Sequence, residues 1–289
     1  MTPPAEAGPP DISVIVPVHR HWDLVPALLE ALAAQTLETT RFEILIVNND
    51  APAPPPPLAL PPNARILPCM GPGSYAARNA GAGEARGRWL VFTDADCRPV
   101  SGWLTALTGG APDGLRAGPV EMEAPADPNA FAIYDLLRGI PQAVYVSHGY
   151  ATTANLAVPA DIFRGLGGFD AARRSGGDAE FCRRAGARGH GLVLIPEAPV
   201  RHPCRTDWEA LATKARRIKG GQIRAGSRRR RVLWTCRSLV PPMRDTVRFL
   251  ASPRPLRYRV IASAIRFRLW GVELAETVRL LAGGTAERR

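Results

Sequence analysis

An α/β fold on a mostly parallel sheet flanked by helices is predicted by three features of this 289-residue chain. Apolar runs of strand length recur, helical patterns separate them, and carboxylates or amides close the runs. DISVIVPV (11 to 18) is short, apolar and rich in β-branched residues, and LVPALLEALAAQ (24 to 35) then repeats with a helical period. FEILIVN (42 to 48) and RWLVFTD (88 to 94) are two more strand-like runs, and SYAARNAGAGEA (74 to 85) between them reads as an alanine-rich helix. Strands alternating with helices bury both faces of a parallel sheet, which is why the runs are continuously apolar and not alternating.

Composition sets the outer limits. At 46% hydrophobic the chain can bury a large core. No run of about 18 uncharged apolar residues is present, which argues against a membrane-spanning helix. MTPPAEAGPPD at the start has neither a basic nor an apolar leader region, so a cytoplasmic location is expected. The five cysteines are odd in number and lack the short spacings of zinc or redox pairs, and read as reduced packing thiols. Charge is uneven: residues 1 to 200 carry 15 basic and 20 acidic side chains, whereas 201 to 289 carry 22 and 6, a net +16. The expected organisation is a flexible N-terminus (1 to 10), a catalytic-type α/β domain (11 to 225) and a basic helical extension (226 to 289).

Two linking segments carry weaker signals. APAPPPPLALPP (51 to 62) cannot supply ladder hydrogen bonds and reads as a stiff surface loop or as a ligand for a proline-binding module. GPGSYA (71 to 76) imitates a dinucleotide-binding glycine fingerprint but lacks its third glycine.

WLVFTDADCRP (89 to 99) is the most informative stretch. Open α/β sheets bind ligands beyond the carboxyl ends of their strands, and Asp94 and Asp96 fall at such an end. Two carboxylates one residue apart can converge on a hard cation shared with substrate phosphates. They can also form an Asx-type turn that simply ends the strand.

The order of motifs adds to this. PVHR (17 to 20), IVNND (46 to 50), ARNAG (77 to 81), FTDADCRP (92 to 99), ATTANLAVP (151 to 159), GGFD (167 to 170) and GGDAEFCRR (176 to 184) resemble, in sequence, the family 2 glycosyltransferases over roughly residues 11 to 220. The resemblance implies a GT-A fold and a nucleotide-diphosphate sugar donor of UDP or GDP type lying across the carboxyl edge of the sheet. It implies that Pro17, Val18, His19 and Arg20 border the nucleotide, that Asn48, Asn49 and Asp50 face base and ribose, and that Arg78 lies nearby. Asp94 would sit by ribose or sugar, and Asp96 would ligate Mg²⁺ or Mn²⁺. Asn48 and Asn49 stand where the family usually has a carboxylate; an amide offers a base edge both donor and acceptor.

Transfer to a hydroxyl needs a base opposite the leaving diphosphate. The family's Glu-Asp pair maps onto Gly177 and Asp178, which makes Asp178 the expected catalytic base with its glutamate partner missing. Asp178 also reads as a helix N-cap, a position that favours the ionised carboxylate. Glu180 and Asn155 are expected on the acceptor or sugar side, with Gly177 beside them. Asn155 equally reads as a strand-end residue satisfying backbone. His202, after a short strand, would complete the metal site or touch the diphosphate, imidazole being a sound ligand beside carboxylates. Arg205, Lys214 and Arg217 can neutralise departing diphosphate or form a solvated basic face.

In the tail, arginines interleave with Leu, Ile, Phe and Trp over two helical stretches separated by Pro253 and Pro255. Such a segment can lie on an anionic membrane surface at the inner face, pack on a protein surface, or contact nucleic acid. The expected function is a metal-dependent inverting glycosyltransferase acting on a hydroxyl acceptor (glycan, lipid or small molecule) in glycan, glycolipid or cell-envelope biosynthesis. Its rivals are a basic nucleic-acid-binding protein on an α/β scaffold and a nucleotidyltransferase, although PVHRHWD lacks the glycine-rich phosphate loop that the latter would want.

Overall fold

The computed structural model describes residues 8–173, 175–224 and 227–285. Most of the N-terminal segment expected to be flexible, residues 1–7, lies outside them, as does the first residue of the expected extension. In chain order the elements are β1 (Ile12–Val18), α1 (Val25–Ala33), β2 (Phe42–Asn48), β3 (Ala64–Pro68), α2 (Ser74–Glu84), β4 (Trp89–Thr93), β5 (Arg98–Pro99), α3 (Trp103–Thr108), β6 (Leu115–Ala117) and β7 (Val120–Glu123). There follow α4 (Ala130–Arg138), α5 (Gln142–Ser147), β8 (Asn155–Pro159), α6 (Ala160–Gly165), α7 (Gly177–Ala187), β9 (Leu192–Leu194) and β10 (Val200–Pro203). Four helices close the chain: α8 (Trp208–Arg224), α9 (Arg228–Leu239), α10 (Met243–Leu250) and α11 (Leu256–Leu281). Two compact units result, the first from the described parts of Met1–Val120, Pro141–Ala171 and Asp178–Arg201, the second from Glu121–Ile140, Ala172–Gly177 and His202–Arg289.

The first unit is built on a seven-stranded sheet in the order β3-β2-β1-β4-β8-β6-β9. Strands β1 to β4 run parallel, and β8 enters antiparallel between β4 and β6. Every residue of β2 and β4 is buried, as expected of strands covered on both faces. The strand order turns around at β1, which has β2 on one side and β4 on the other. A crevice at the carboxyl ends of β1, β2 and β4 is therefore the natural ligand position.

One aromatic cluster fixes the helices over that edge. Phe92 of β4, Phe163 of α6, Phe169 and Phe181 of α7 pack in sequence at tilted and edge-to-face angles, with centroids 5.3, 5.1 and 5.0 Å apart, and Tyr75 of α2 joins at 5.5 Å from Phe169. Fully burying each such ring is worth about 1.5–3 kcal/mol. The GGFD turn threads through this cluster because Gly168 adopts a left-handed φ of 71° and a Cβ there would meet Asn79 Oδ1 at 2.8 Å. Asn79 in turn holds Phe169 by both amide ends, at 2.8 and 2.9 Å.

The second unit is helical, joining α4 to the described part of the stretch from His202 onward. Tyr134, Leu211, Phe249, Ile265 and Leu269 form its core, with Tyr134 and Phe249 edge to face at 6.0 Å. Polar ties cross the core: Lys219 donates to Ser238 Oγ at 3.0 Å, Trp270 to the Ser238 carbonyl at 2.8 Å, and Arg266 bridges Asp245 and Glu273. No described helix is long and apolar enough to cross a membrane.

Candidate active site

Strand β4 delivers the two aspartates into a turn that is pinned on both sides. Thr93 Oγ1 donates to the Ala154 carbonyl at 3.0 Å, the Cys97 amide donates to the Asp94 carbonyl at 3.0 Å, and Arg98 pairs with Arg201 of β10. Between these anchors Asp94 and Asp96 stay partly exposed. Cys97 is fully buried, and burial first, then the neighbouring Asp96 and Asp94 charges, push its thiol well above the usual range. It is a packed thiol, not a ligand.

Arg78 reaches Asp94 from α2, its Nη2 donating to Asp94 Oδ1. Arg78 is only 3% exposed, and its side chain is spent on holding Asp94. Its guanidinium also lies over the Tyr75 ring, 5.9 Å from the centroid.

At the ends of β1 and β2 the residues expected to border the nucleotide do come together. Val18 is in register with Asn48, and the Asn49 amide donates to the Val18 carbonyl at 2.7 Å. His19 Nδ1 lies 3.3 Å from the Asn49 carbonyl and 3.6 Å from Asp50, and Arg20, in the left-handed region at φ 66°, approaches Asp50 at 3.8 Å. Pro17 is partly exposed, whereas the Val18 side chain is buried, leaving only its backbone for a ligand. Asn48 departs from its expected base-facing role. It is buried, its Nδ2 donates to the Ala53 carbonyl at 2.8 Å and its Oδ1 accepts from the Asp50 amide at 3.0 Å, so it shapes the loop. Asn49 donates to the Gly71 carbonyl at 2.7 Å and remains half-buried at the edge.

Asp178 lies one residue inside α7, which opens at Gly177, and so is not the N-cap expected. Its Oδ1 accepts from the Ala179 amide at 2.9 Å and from the Tyr75 hydroxyl at 3.2 Å. Burial nevertheless pushes the carboxyl above its ordinary range, against the opposing pull of the Ala179 amide, Arg78 and the Tyr75 hydroxyl. The ionised form is thus less favoured than a cap would make it, and the group is correspondingly more basic. Tyr75, absent from the sequence reading, sits three residues before Arg78 on α2, so one helix face touches both Asp94 and Asp178. That i, i+3 spacing was the available signal.

Asn155 does not line a cleft. Fully buried, it accepts from Trp103 Nε1 at 2.9 Å and donates to the Pro119 and Ala198 carbonyls at 2.9 and 2.8 Å. All its hydrogen-bonding directions of consequence are used in tying β8 to its neighbours, and Gly118 must be glycine because a Cβ would meet the Ala198 carbonyl at 1.9 Å. Glu180 grips Arg184 at 3.0 and 3.1 Å, and Arg184 donates to the carbonyls of Leu166 and Gly168, bracing the GGFD turn. Gly177 is buried and offers backbone alone.

His202 belongs to the second unit and lies within β10, not after it. Its Nδ1 donates to the Pro203 carbonyl at 2.8 Å, and the ring is buried. Also in the second unit, Arg205 pairs with buried Asp135 at 3.0 Å. Burial, then Arg138 and Arg205, hold Lys214 well below its usual value, and the residue is half-buried.

Asp94 and Asp96 fit a hard divalent cation by donor chemistry. Among the described residues no group of three or more His, Cys, Asp or Glu side chains converges as a metal cage. Two partly exposed carboxylates suit a site completed by oxygens of a bound diphosphate.

Two carboxylates at the carboxyl edge of a mostly parallel sheet, and a half-buried carboxylate tied to the same helix α2 through Tyr75, are the arrangement that the comparisons with known proteins bear on. Residues 13–114 match the model for Glycosyl transferase family 2. Over 225 residues the chain is 32% identical to glycosyltransferase AglE of Haloferax volcanii, covering 74% of this chain and 73% of that protein. The chain belongs to the family 2 glycosyltransferases. Its fold resembles the mannosyltransferase PcManGT of Pyrobaculum calidifontis, solved with GDP-Man and Mn²⁺, at TM-score 0.55 and 14% identity over 96% of this chain and 90% of that one. GalNAc-T7, solved with UDP, GalNAc and Mn²⁺, is similar at TM-score 0.54 and 14% identity, over 94% of this chain and 58% of that one.

Proposed function

We propose that this glycosyltransferase moves a sugar from a UDP- or GDP-type nucleotide donor to an acceptor hydroxyl with inversion, in glycan, glycolipid or cell-envelope biosynthesis. The observation that carries the reading is the link through α2, where Arg78 holds Asp94 and Tyr75 holds Asp178. A carboxylate suited to the diphosphate side and a carboxylate suited to take a proton are thereby braced by one rigid element.

Asp178 takes the acceptor hydroxyl proton as the acceptor oxygen bonds to the anomeric carbon. The bond from that carbon to the diphosphate oxygen breaks in the same displacement, and its electron pair leaves with the nucleoside diphosphate. One displacement inverts the anomeric centre. Asp96, with Asp94 beside it, would hold Mg²⁺ or Mn²⁺, which supplies charge neutralisation for the leaving diphosphate when bound. Pro17, His19, Arg20, Asn49 and Asp50 border the nucleotide, and the Val18 backbone completes that edge.

The reading is tested by nucleotide binding and turnover in parallel. Asp178→Asn should keep Mn²⁺-dependent binding of UDP or GDP while losing turnover. Loss of binding together with turnover would remove Asp178 from the role of base.

A further inference from the structure

We propose that the solvent-facing side of α11, together with the exposed apolar residues of α9, docks on an anionic lipid bilayer. Of the fifteen large apolar side chains exposed among the described residues, twelve lie between Val232 and Leu281. Their placement is regular. At ~100° per residue, Leu256, Val260, Phe267, Val278 and Leu281 fall within an arc of about 60° on α11. Each is exposed, Leu256 at 68% and Val278 at 67%. Widening the arc to about 120° adds Ser263, Ala264, Trp270, Gly271 and Leu274 and still meets no charged residue along ~39 Å of helix.

The opposite side of α11 is already occupied. Ala262, Ile265 and Leu269 are buried in the second unit's core, and Leu280 on the same side is buried too. A helix apolar on both sides, with one side spent on the core, presents the other for a partner. Basic residues border the free side: Arg257 and Arg268 are exposed along one edge, and α9 adds exposed Arg228, Arg229, Arg231 and Arg237.

The two exposed sets meet at a cavity of about 420 Å³ lined by Ile223, Arg224, Arg231, Val232, Leu280 and Leu281. A lining of apolar and arginine side chains suits an acyl chain end beneath a phosphate headgroup.

Charge decides between occupants. A second copy of this chain would press two segments of net charge +16 together, which opposes self-association. An anionic bilayer offers apolar depth and negative charge at once. Nucleic acid would match the charge but not the uncharged strip.

The test is co-flotation of the full chain with phosphatidylcholine vesicles, with and without about 30% phosphatidylglycerol, against the double variant Val260→Glu/Phe267→Glu. Both positions are exposed, so the variant should match the wild type in thermal melting and in sugar-nucleotide turnover. Expected is flotation with the anionic vesicles only, weakened by roughly tenfold or more in the double variant and by about 0.5 M salt. Absence of flotation with anionic vesicles overturns the proposal. So does flotation that the double variant leaves unchanged, or a dimer in light scattering that the same variant dissociates. RNA binding that the wild type shows in place of flotation would assign the surface to nucleic acid and likewise overturn it.

Discussion

Tyr75 and Asp178, 103 residues apart in the chain, are joined by a 3.2 Å hydrogen bond from hydroxyl to carboxylate. The bond stabilises the ionised carboxylate while burial opposes it. Removing the hydroxyl therefore raises the Asp178 pKa further. Tyr75→Phe should move the acid limb of the kcat/KM profile to higher pH and change the plateau rate by less than about tenfold. A pH–rate profile checks this; an unmoved acid limb would separate Tyr75 from the base.

Asp178→Asn should lower kcat by about 10²–10⁴-fold. It should also raise thermal stability at neutral pH. The sign follows from the raised pKa: the native state favours the protonated carboxyl, so the stability it contributes is complete below the unfolded pKa and is lost as pH rises through the folded one. A neutral amide escapes that loss and can still accept from the Ala179 amide and the Tyr75 hydroxyl. Thermal melts of both proteins at pH 4 and pH 7.5 test it, the gap between them widening at the higher pH.

Asn155→Ala should act on folding. The change strands the buried Trp103 indole N–H and two backbone carbonyls, at a cost of about 2–4 kcal/mol. Denaturant titration should show the loss, while any folded fraction keeps the wild-type acceptor KM. A raised acceptor KM without destabilisation would return Asn155 to the cleft.

Much of the first unit was readable because local physics decides it. The second strand falls at Phe42–Asn48 as its apolar run predicts, and the helix Ser74–Glu84 ends one residue before its expected limit. The antiparallel entry of β8 and the existence of β3 were not readable, since ARILP and NLAVP are short and their pairing is set by distant partners. The same distinction governs the site. Asp94, Asp96 and Asp178 stand out as carboxylates at element ends, a local signal. Tyr75 and Arg78 gain their roles only when α2 is laid over the sheet edge, and the structural duty of Asn155 follows from a contact 52 positions away, whereas that of Asn48 comes from its own loop. In the second unit, α4 joins α8, α10 and α11, with Tyr134 meeting residues from Leu211 to Leu269, a pairing that no local pattern announces.

In the proposed metal-dependent transfer, Asp96 serves the diphosphate side and Asp178 is the base. Its most direct test is release of nucleoside diphosphate from a panel of UDP and GDP sugars, measured for the wild type with Mn²⁺, the wild type with chelator, Asp96→Ala and Asp178→Asn. The prediction is turnover of at least one donor by the wild type with Mn²⁺ alone, and a fall of about 10²-fold or more in the other three. Full turnover in chelator, or in both variants, would contradict it.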